Sequence, residues 1–157
     1  MRKRLAIILM LSLGVLATSV PLGTMAGANV IGNEGCTPGY WKNHTDNWQE
    51  YTPDTQLSSL WTFPASLSQY GDWTMLQALQ GGGGTGVSGA TRILVRAATA
   101  AYLNAAHEGL GYPYRRFDEP GDLEEAINAA LATEKRSAIL KLATKLDQAN
   151  NLGCPLS

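Results

Sequence analysis

The sequence predicts a mainly α-helical fold, in which an irregular first half rich in aromatic residues and proline precedes a helical second half. After residue 90, alanine and leucine recur at spacings of three and four, the period of an amphipathic helix. Between residues 38 and 64 three prolines interrupt the chain, so long elements are not expected there. No stretch alternates apolar and polar residues for long enough to predict a sheet.

Residues 1–28 have the three parts of a secretory signal peptide. An Arg-Lys-Arg tripeptide precedes a mostly apolar run over 5–20, and Ala26-Gly27-Ala28 offers a small-residue cleavage site. The apolar run is short for a span of about 20 residues, which favours cleavage after Ala28 over an uncleaved anchor. We therefore expect residues 29–157 to form one secreted domain, extracellular or periplasmic, with no membrane span after cleavage.

The charge of the processed chain excludes some partners. Loss of residues 1–28 leaves nine basic and 13 acidic residues, a formal charge of −4. Without a basic run, the chain is not expected to bind nucleic acid. At 45% hydrophobic and 16% charged residues, it is too apolar to be a disordered acidic tail.

The two cysteines lie near the ends of the processed chain, at Cys36 and Cys154. In an oxidising compartment such a pair is typical of one disulfide, which would stabilise the fold by about 4–5 kcal/mol in the chain-entropy estimate. The alternative is a zinc site that adds His44 and His107. Cysteine ligands of zinc usually come in close pairs, so we expect the disulfide and no metal.

Residues 29–80 form the aromatic-rich part of the predicted domain. Eight of the chain's 12 aromatic residues lie between residues 40 and 73. A Thr-Pro-Asp sequence predicts a short helix over 54–61. Asp72 could cap a second helix over 73–79, which Gly81 would end.

Residues 81–90 predict a flexible glycine-rich joint. Gly84, Gly86 and Gly89 satisfy the G-x-G-x-x-G pattern of dinucleotide-binding loops, but that motif requires a strand immediately before it. A P-loop also fails, because Ala90 stands where its lysine would be. We therefore expect no cofactor.

Residues 91–157 predict three helices. The first spans 91–107 and carries a stripe of small apolar residues. The second, over 122–133, begins with an Asp-x-x-Glu capping box, and the third spans 134–150. Their alanine content predicts close helix packing rather than a bulky core.

The aromatic residues of the first half permit two roles. Tryptophan and tyrosine rings stack on sugars and anchor protein interfaces, but they also fill the cores of small domains. If they are exposed, the predicted binding residues are Tyr40, Trp41, Lys42, His44 and Trp48, and the partner is an extracellular glycan or a surface protein. The expected function is a secreted or cell-surface, non-enzymatic binding or structural module that uses aromatic residues of this first half.

His44 supports the alternative function, a small extracellular hydrolase. A general base needs an orienting partner and a nucleophile or water within reach, and Lys42, Asn43, Thr45 and Asp46 are neighbours in sequence. Neither G-x-S-x-G nor H-E-x-x-H occurs. The sequence therefore names His44 as a catalytic residue only under this alternative.

One segment carries a family resemblance. Cys36-Thr37-Pro38-Gly39-Tyr40-Trp41-Lys42 resembles the C-T-P-G-[YF]-W-K signature of a group of secreted, mostly bacterial proteins. The likeness extends to Leu103-Asn104-Ala105-Ala106, Tyr112-Pro113 and the closing Gly153-Cys154-Pro155. It implies a secreted domain with a fixed cysteine framework and carries over no catalytic residue. Within the signature, Pro38-Gly39 suits a type II turn, which would direct Tyr40 and Trp41 away from the disulfide-anchored end.

Overall fold

The computed structural model describes residues 32–117, 119 and 121–156, and this part of the chain is mainly α-helical without a β-strand. Its α-helices are α1 (Pro38–Asn43), α2 (Met75–Gln80), α3 (Gly86–Ala106), α4 (Leu123–Ala132) and α5 (Arg136–Asn150). Short 3₁₀ helices cover Thr45–Asn47, Leu57–Ser59 and Ala65–Tyr70. The predicted fold class is confirmed. The predicted signal peptide, residues 1–28, lies outside the described residues.

Helix α3 is the centre of the fold. It contacts α1, α2, α4 and α5, and α5 packs along it most extensively. The predicted apolar stripe is present, but buried residues occur around most of the helix, including the polar Thr91, Thr99 and Asn104. Because alanine side chains are short, several helices can approach α3 closely at once.

The glycine-rich segment is not a joint over its full predicted length of 81–90, because α3 already begins at Gly86. A Cβ atom at Gly89 would lie 2.1 Å from the carbonyl carbon of Gly84, so glycine is needed where the segment folds back on the first turn. The Arg136 guanidinium donates hydrogen bonds to the carbonyls of Gly84 (3.1 Å) and Gly86 (2.6 Å). Part of the predicted joint is therefore an anchored helix start.

In the first half, the predicted helix over 54–61 is wrong beyond a single 3₁₀ turn at Leu57–Ser59. The backbone there bonds to a distant segment instead. The N–H of Leu57 donates to the carbonyl of Trp73 (2.9 Å), and the N–H of Met75 donates to the carbonyl of Thr55 (2.8 Å). These long-range bonds replace the ones a helix would have made.

Helix α2 ends at Gly81 as predicted, but its cap is Thr74 and not Asp72. Thr74 accepts from the N–H of Gln77 (3.2 Å), and the Gln77 side chain accepts from the N–H of Thr74 (2.9 Å). This reciprocal capping box satisfies two otherwise free donors. Asp72 lies too far upstream to do so.

The caps of the later helices follow the sequence more closely. Asp122 caps α4 as predicted by accepting from the N–H of Glu125 (2.8 Å). The predicted capping box is only half formed, because the Glu125 carboxylate accepts from the N–H of Gly121 (2.8 Å) and not from that of Asp122. Helix α5 begins at Arg136 rather than at residue 134. Glu134 has a positive φ of 50°, so the helix cannot extend back through it.

The disulfide between Cys36 and Cys154 is present, with a Cα–Cα distance of 4.5 Å. The adjacent backbone joins the two ends of the fold, because the N–H of Gly35 donates to the carbonyl of Gly153 (2.9 Å). A Cβ atom at Gly35 would lie 2.1 Å from the carbonyl oxygen of Ala149. The predicted disulfide is confirmed. The alternative zinc site is wrong, because its two cysteines are bonded to each other.

Candidate functional site

The signature segment begins a helix rather than a type II turn. Thr37 is the N-cap of α1, and its hydroxyl oxygen accepts from the N–H of Tyr40 (3.1 Å). Pro38 occupies the first turn, where its fixed φ and missing N–H suit a helix start. Successive side chains of a helix point about 100° apart, and here Trp41 is buried whereas Lys42 is exposed.

Trp41 is fully buried and cannot contact a ligand, which corrects its prediction as a binding residue. Its indole Nε1–H donates to the side-chain oxygen of Asn104 on α3 (3.0 Å). The half-buried Trp48 donates through its own Nε1–H to the carbonyl of Trp41 (3.0 Å). These two tryptophans attach α1 and the following turn to the core.

A buried network of amides organises this attachment. The Asn104 side chain also accepts from the N–H of Cys36 (2.8 Å) and donates to its carbonyl (2.9 Å) and to the side-chain oxygen of Asn150 (2.9 Å). Asn150 in turn donates to the carbonyl of Ala97 (2.9 Å) and accepts from the hydroxyl of Tyr112 (2.8 Å). Each of these amide groups is satisfied, as a buried polar group must be.

Sequence reasoning did not assign this network, although a signal for it exists. Asn104 follows Ala97 and Ala101 at helical spacing, and Asn150 follows Ala143 and Leu146 in the same way. An asparagine on the apolar face of a helix indicates a buried hydrogen-bonding role. The network joins Cys36, Asn104, Tyr112 and Asn150, which lie in four separate segments of the chain.

The exposed face of α1 carries three of the predicted binding residues. The His44 ring stacks on Tyr40 with centroids 4.2 Å apart, and Lys42 points into solvent. The Tyr40 hydroxyl accepts from the Asn47 side chain (2.8 Å) and donates to the carbonyl of Leu156 (3.1 Å). Tyr40 therefore holds the C-terminal segment as well as the histidine.

Among the described residues, the His44 ring has one hydrogen-bond partner, and it is a main-chain carbonyl. Its Nδ1 lies 2.9 Å from the carbonyl oxygen of Tyr40. A carbonyl only accepts, so Nδ1 carries the proton. The ring forms no other hydrogen bond or ion pair within the described part of the chain. No cluster of three His, Cys, Asp or Glu residues in that part is arranged to hold a metal ion.

The remaining aromatic residues of the first half belong to the core. Trp61 and Tyr70 are buried, and Tyr51, Phe63 and Trp73 are partly buried against them and their neighbours. Of the two roles open to these residues, the structure assigns core packing to most of the set.

A groove of about 550 Å³ lies where the signature segment meets the glycine-rich segment. It is bounded by residues 37–39 at the start of α1, by Gly82 and Gly83, and by facing turns of α3 and α5. This volume is within the usual range for small-ligand sites. The groove brings together two segments that stood out in the sequence for separate reasons.

The glycines that border the groove are not required by the fold. Gly39, Gly82 and Gly83 all lack a positive φ. A Cβ atom at Gly82 would meet nothing within 4 Å, and one at Gly39 or Gly83 would make only ordinary contacts of 3.6 and 3.4 Å. Neither backbone strain nor crowding therefore requires glycine at these three positions.

The walls of the groove carry opposite charges. Arg96 lies on α3 and Asp147 on α5, and both are exposed. Neither side chain forms an ion pair or hydrogen bond within the described residues, where the Arg116–Glu50 pair is the one salt bridge. Both charges are therefore available to a ligand.

Together these features define a small, disulfide-closed helical protein with a surface groove of mixed polar and apolar lining. Comparisons with family models, with curated proteins and with solved structures found no match for this chain. Within the described residues, no helix is long and apolar enough to cross a membrane.

Proposed function

We propose that this chain is a secreted, non-enzymatic binding module whose ligand occupies the groove between α1, α3 and α5. The groove itself is the observation that carries this proposal. Its border contains glycines that the fold does not need, and its two charged side chains have no partner among the described residues. Trp41 and Trp48, two of the residues first expected to bind the ligand, instead attach α1 and the following turn to the core.

The Cys36–Cys154 disulfide supports the extracellular location, because disulfides persist in oxidising compartments. Removal of residues 1–28 would give a secreted form that begins at Asn29. Intact-mass measurement of the protein recovered from the medium or periplasm tests this. A product that retains Met1 would contradict both the cleavage and the location.

Binding is tested by presenting the secreted form with glycans, cell-wall material and peptides. Gly82→Leu adds a side chain at the groove wall where a Cβ atom meets no neighbour, so we expect it to abolish binding with an unchanged melting temperature. Gln69→Leu, at an exposed position outside the groove, controls for added apolar surface. A ligand that binds Gly82→Leu as well as the unmodified protein would refute the groove as the site.

The same screen separates this function from the hydrolase alternative. His44→Ala and Lys42→Ala alter the exposed face of α1, outside the groove. We expect both variants to bind the ligand normally. Turnover of any screened material that His44→Ala abolishes would favour the hydrolase and contradict a purely binding role.

A further inference from the structure

We infer that the groove binds a zwitterion, either a free amino acid or a short peptide with a free α-ammonium group and a free carboxylate. This inference rests on the proposed binding function and specifies its ligand class. In the bound state the carboxylate would lie at Arg96 and the ammonium group at Asp147.

The placement of the charges favours a ligand that carries both signs. Arg96 and Asp147 project from facing helices into one groove but do not pair with each other. A purely anionic ligand would be attracted by Arg96 and repelled by Asp147, and a cation would meet the reverse. A zwitterion can pair with both charges at once, and it can do so in one direction along the groove.

The groove floor favours small apolar side chains over sugars. Its apolar lining comes from Ile93, Ala97 and Ala143 on the two helices and from Pro38 at the start of α1. No aromatic side chain of the described residues lines it, so the ring stacking that sugar recognition commonly uses is not offered. Small aliphatic side chains, such as that of alanine, would instead contact this floor.

The groove border can also meet a peptide backbone. The main-chain groups of Gly82 and Gly83 form no hydrogen bond within the described residues, and with no side chain they allow close approach. Thr37 uses its hydroxyl oxygen as an acceptor for the cap of α1, which leaves its O–H free to donate. Thr144 adds a second hydroxyl on α5.

The experiment uses tri-alanine as the probe, with N-acetyl-tri-alanine and tri-alanine amide as matched analogues that each lack one charge. Calorimetric titration against the secreted form should show binding of tri-alanine, and each blocked analogue should bind about fivefold more weakly, as expected for loss of one solvent-accessible ion pair. L-alanine in the same titration distinguishes a free amino acid from a peptide as the better ligand.

Two variants assign each charge to its partner. In Arg96→Ala, amidation of the carboxylate should cost nothing further, while acetylation still weakens binding. In Asp147→Ala the pattern should reverse, because a coupling energy disappears when one partner is already gone. Lys141→Ala, an exposed charge of α5 outside the groove, should behave like the unmodified protein.

The outcomes separate this inference from the proposed function. If neither L-alanine nor tri-alanine binds, or if the blocked analogues bind as tightly as the free peptide, the zwitterion inference is wrong. A glycan or other ligand that still loses binding in Gly82→Leu would then leave the proposed function standing. If instead the free peptide binds Gly82→Leu unchanged, both the ligand site and the proposed function are overturned.

Discussion

Replacement of Asn104, the one amide side chain of α3, by alanine should strongly destabilise the protein. Its side chain is fully buried and makes hydrogen bonds to Cys36, Trp41 and Asn150. The truncation leaves the N–H of Cys36 and the indole N–H of Trp41 without their partner. Each buried donor left unpaired costs about 1–3 kcal/mol, so the free energy of unfolding should fall by about 2–6 kcal/mol, a large share of the roughly 5–15 kcal/mol typical of a domain.

Urea unfolding of the oxidised protein, followed by tryptophan fluorescence, measures this change. Asn43→Ala provides the control, because Asn43 is exposed and makes one hydrogen bond, to the carbonyl of Gly39. The control should lose less than about 1 kcal/mol. If Asn104→Ala unfolds at the same urea concentration as Asn43→Ala, the buried network does not hold α1 to α3.

Three other changes have defined outcomes. Cys36→Ser and Cys154→Ser should lower the free energy of unfolding by similar amounts, up to about 4–5 kcal/mol for this long loop. The double variant should be no less stable than either single variant. Additive losses in thermal unfolding would contradict the pairing. Gly89→Ala should destabilise the protein because its Cβ atom would lie 2.1 Å from the backbone of Gly84, whereas Gly82→Ala should leave the melting temperature unchanged, and equal effects in calorimetry would refute the packing argument. Burial raises the pKa of Tyr112 above its ordinary value near 10, so above pH 10 the folded form keeps a proton that the unfolded chain loses. The contribution of Tyr112 to the free energy of unfolding should therefore be constant below pH 10 and fall above it. Tyr112→Phe should reduce that fall in unfolding curves measured against pH.

The helical half was largely predictable because its signals are local. A spacing of three and four residues identified α3, α4 and α5, and Asp122 marked the start of α4 through its own side chain. The starts of two of these helices differ from the prediction, and at α5 the reason is local, because Glu134 has a positive φ. Helix α3 begins early because Arg136 and the close contact of Gly84 with Gly89 anchor its first turn.

The first half was less predictable because its backbone bonds join residues far apart in sequence. The segment near Leu57 pairs with the segment near Trp73, and no local pattern announces such a pairing. The sequence left open whether the aromatic residues lie in the core or on the surface. Deciding between them required the position of α3, against which Trp41 and its neighbours pack.

The candidate site shows the same division. Its sequence signals were the signature segment and the glycine run, each of which suggested a different role by itself. Arg96 and Asp147 had no distinguishing pattern, because an isolated charge on a helix usually faces solvent. Only the packing of α5 along α3 places these charges on two walls of one groove.

The amino-acid sequence alone determined that this protein is mainly helical and that Cys36 pairs with Cys154. Helical periodicity is a property of neighbouring residues, and two cysteines allow one intramolecular pairing. The tertiary structure alone decided that Trp41 is internal, that Asn104 and Asn150 form its polar support, and that the groove is open. Those properties depend on which helices meet and how closely. That geometry arises from the packing of the whole chain, and no single segment contains it.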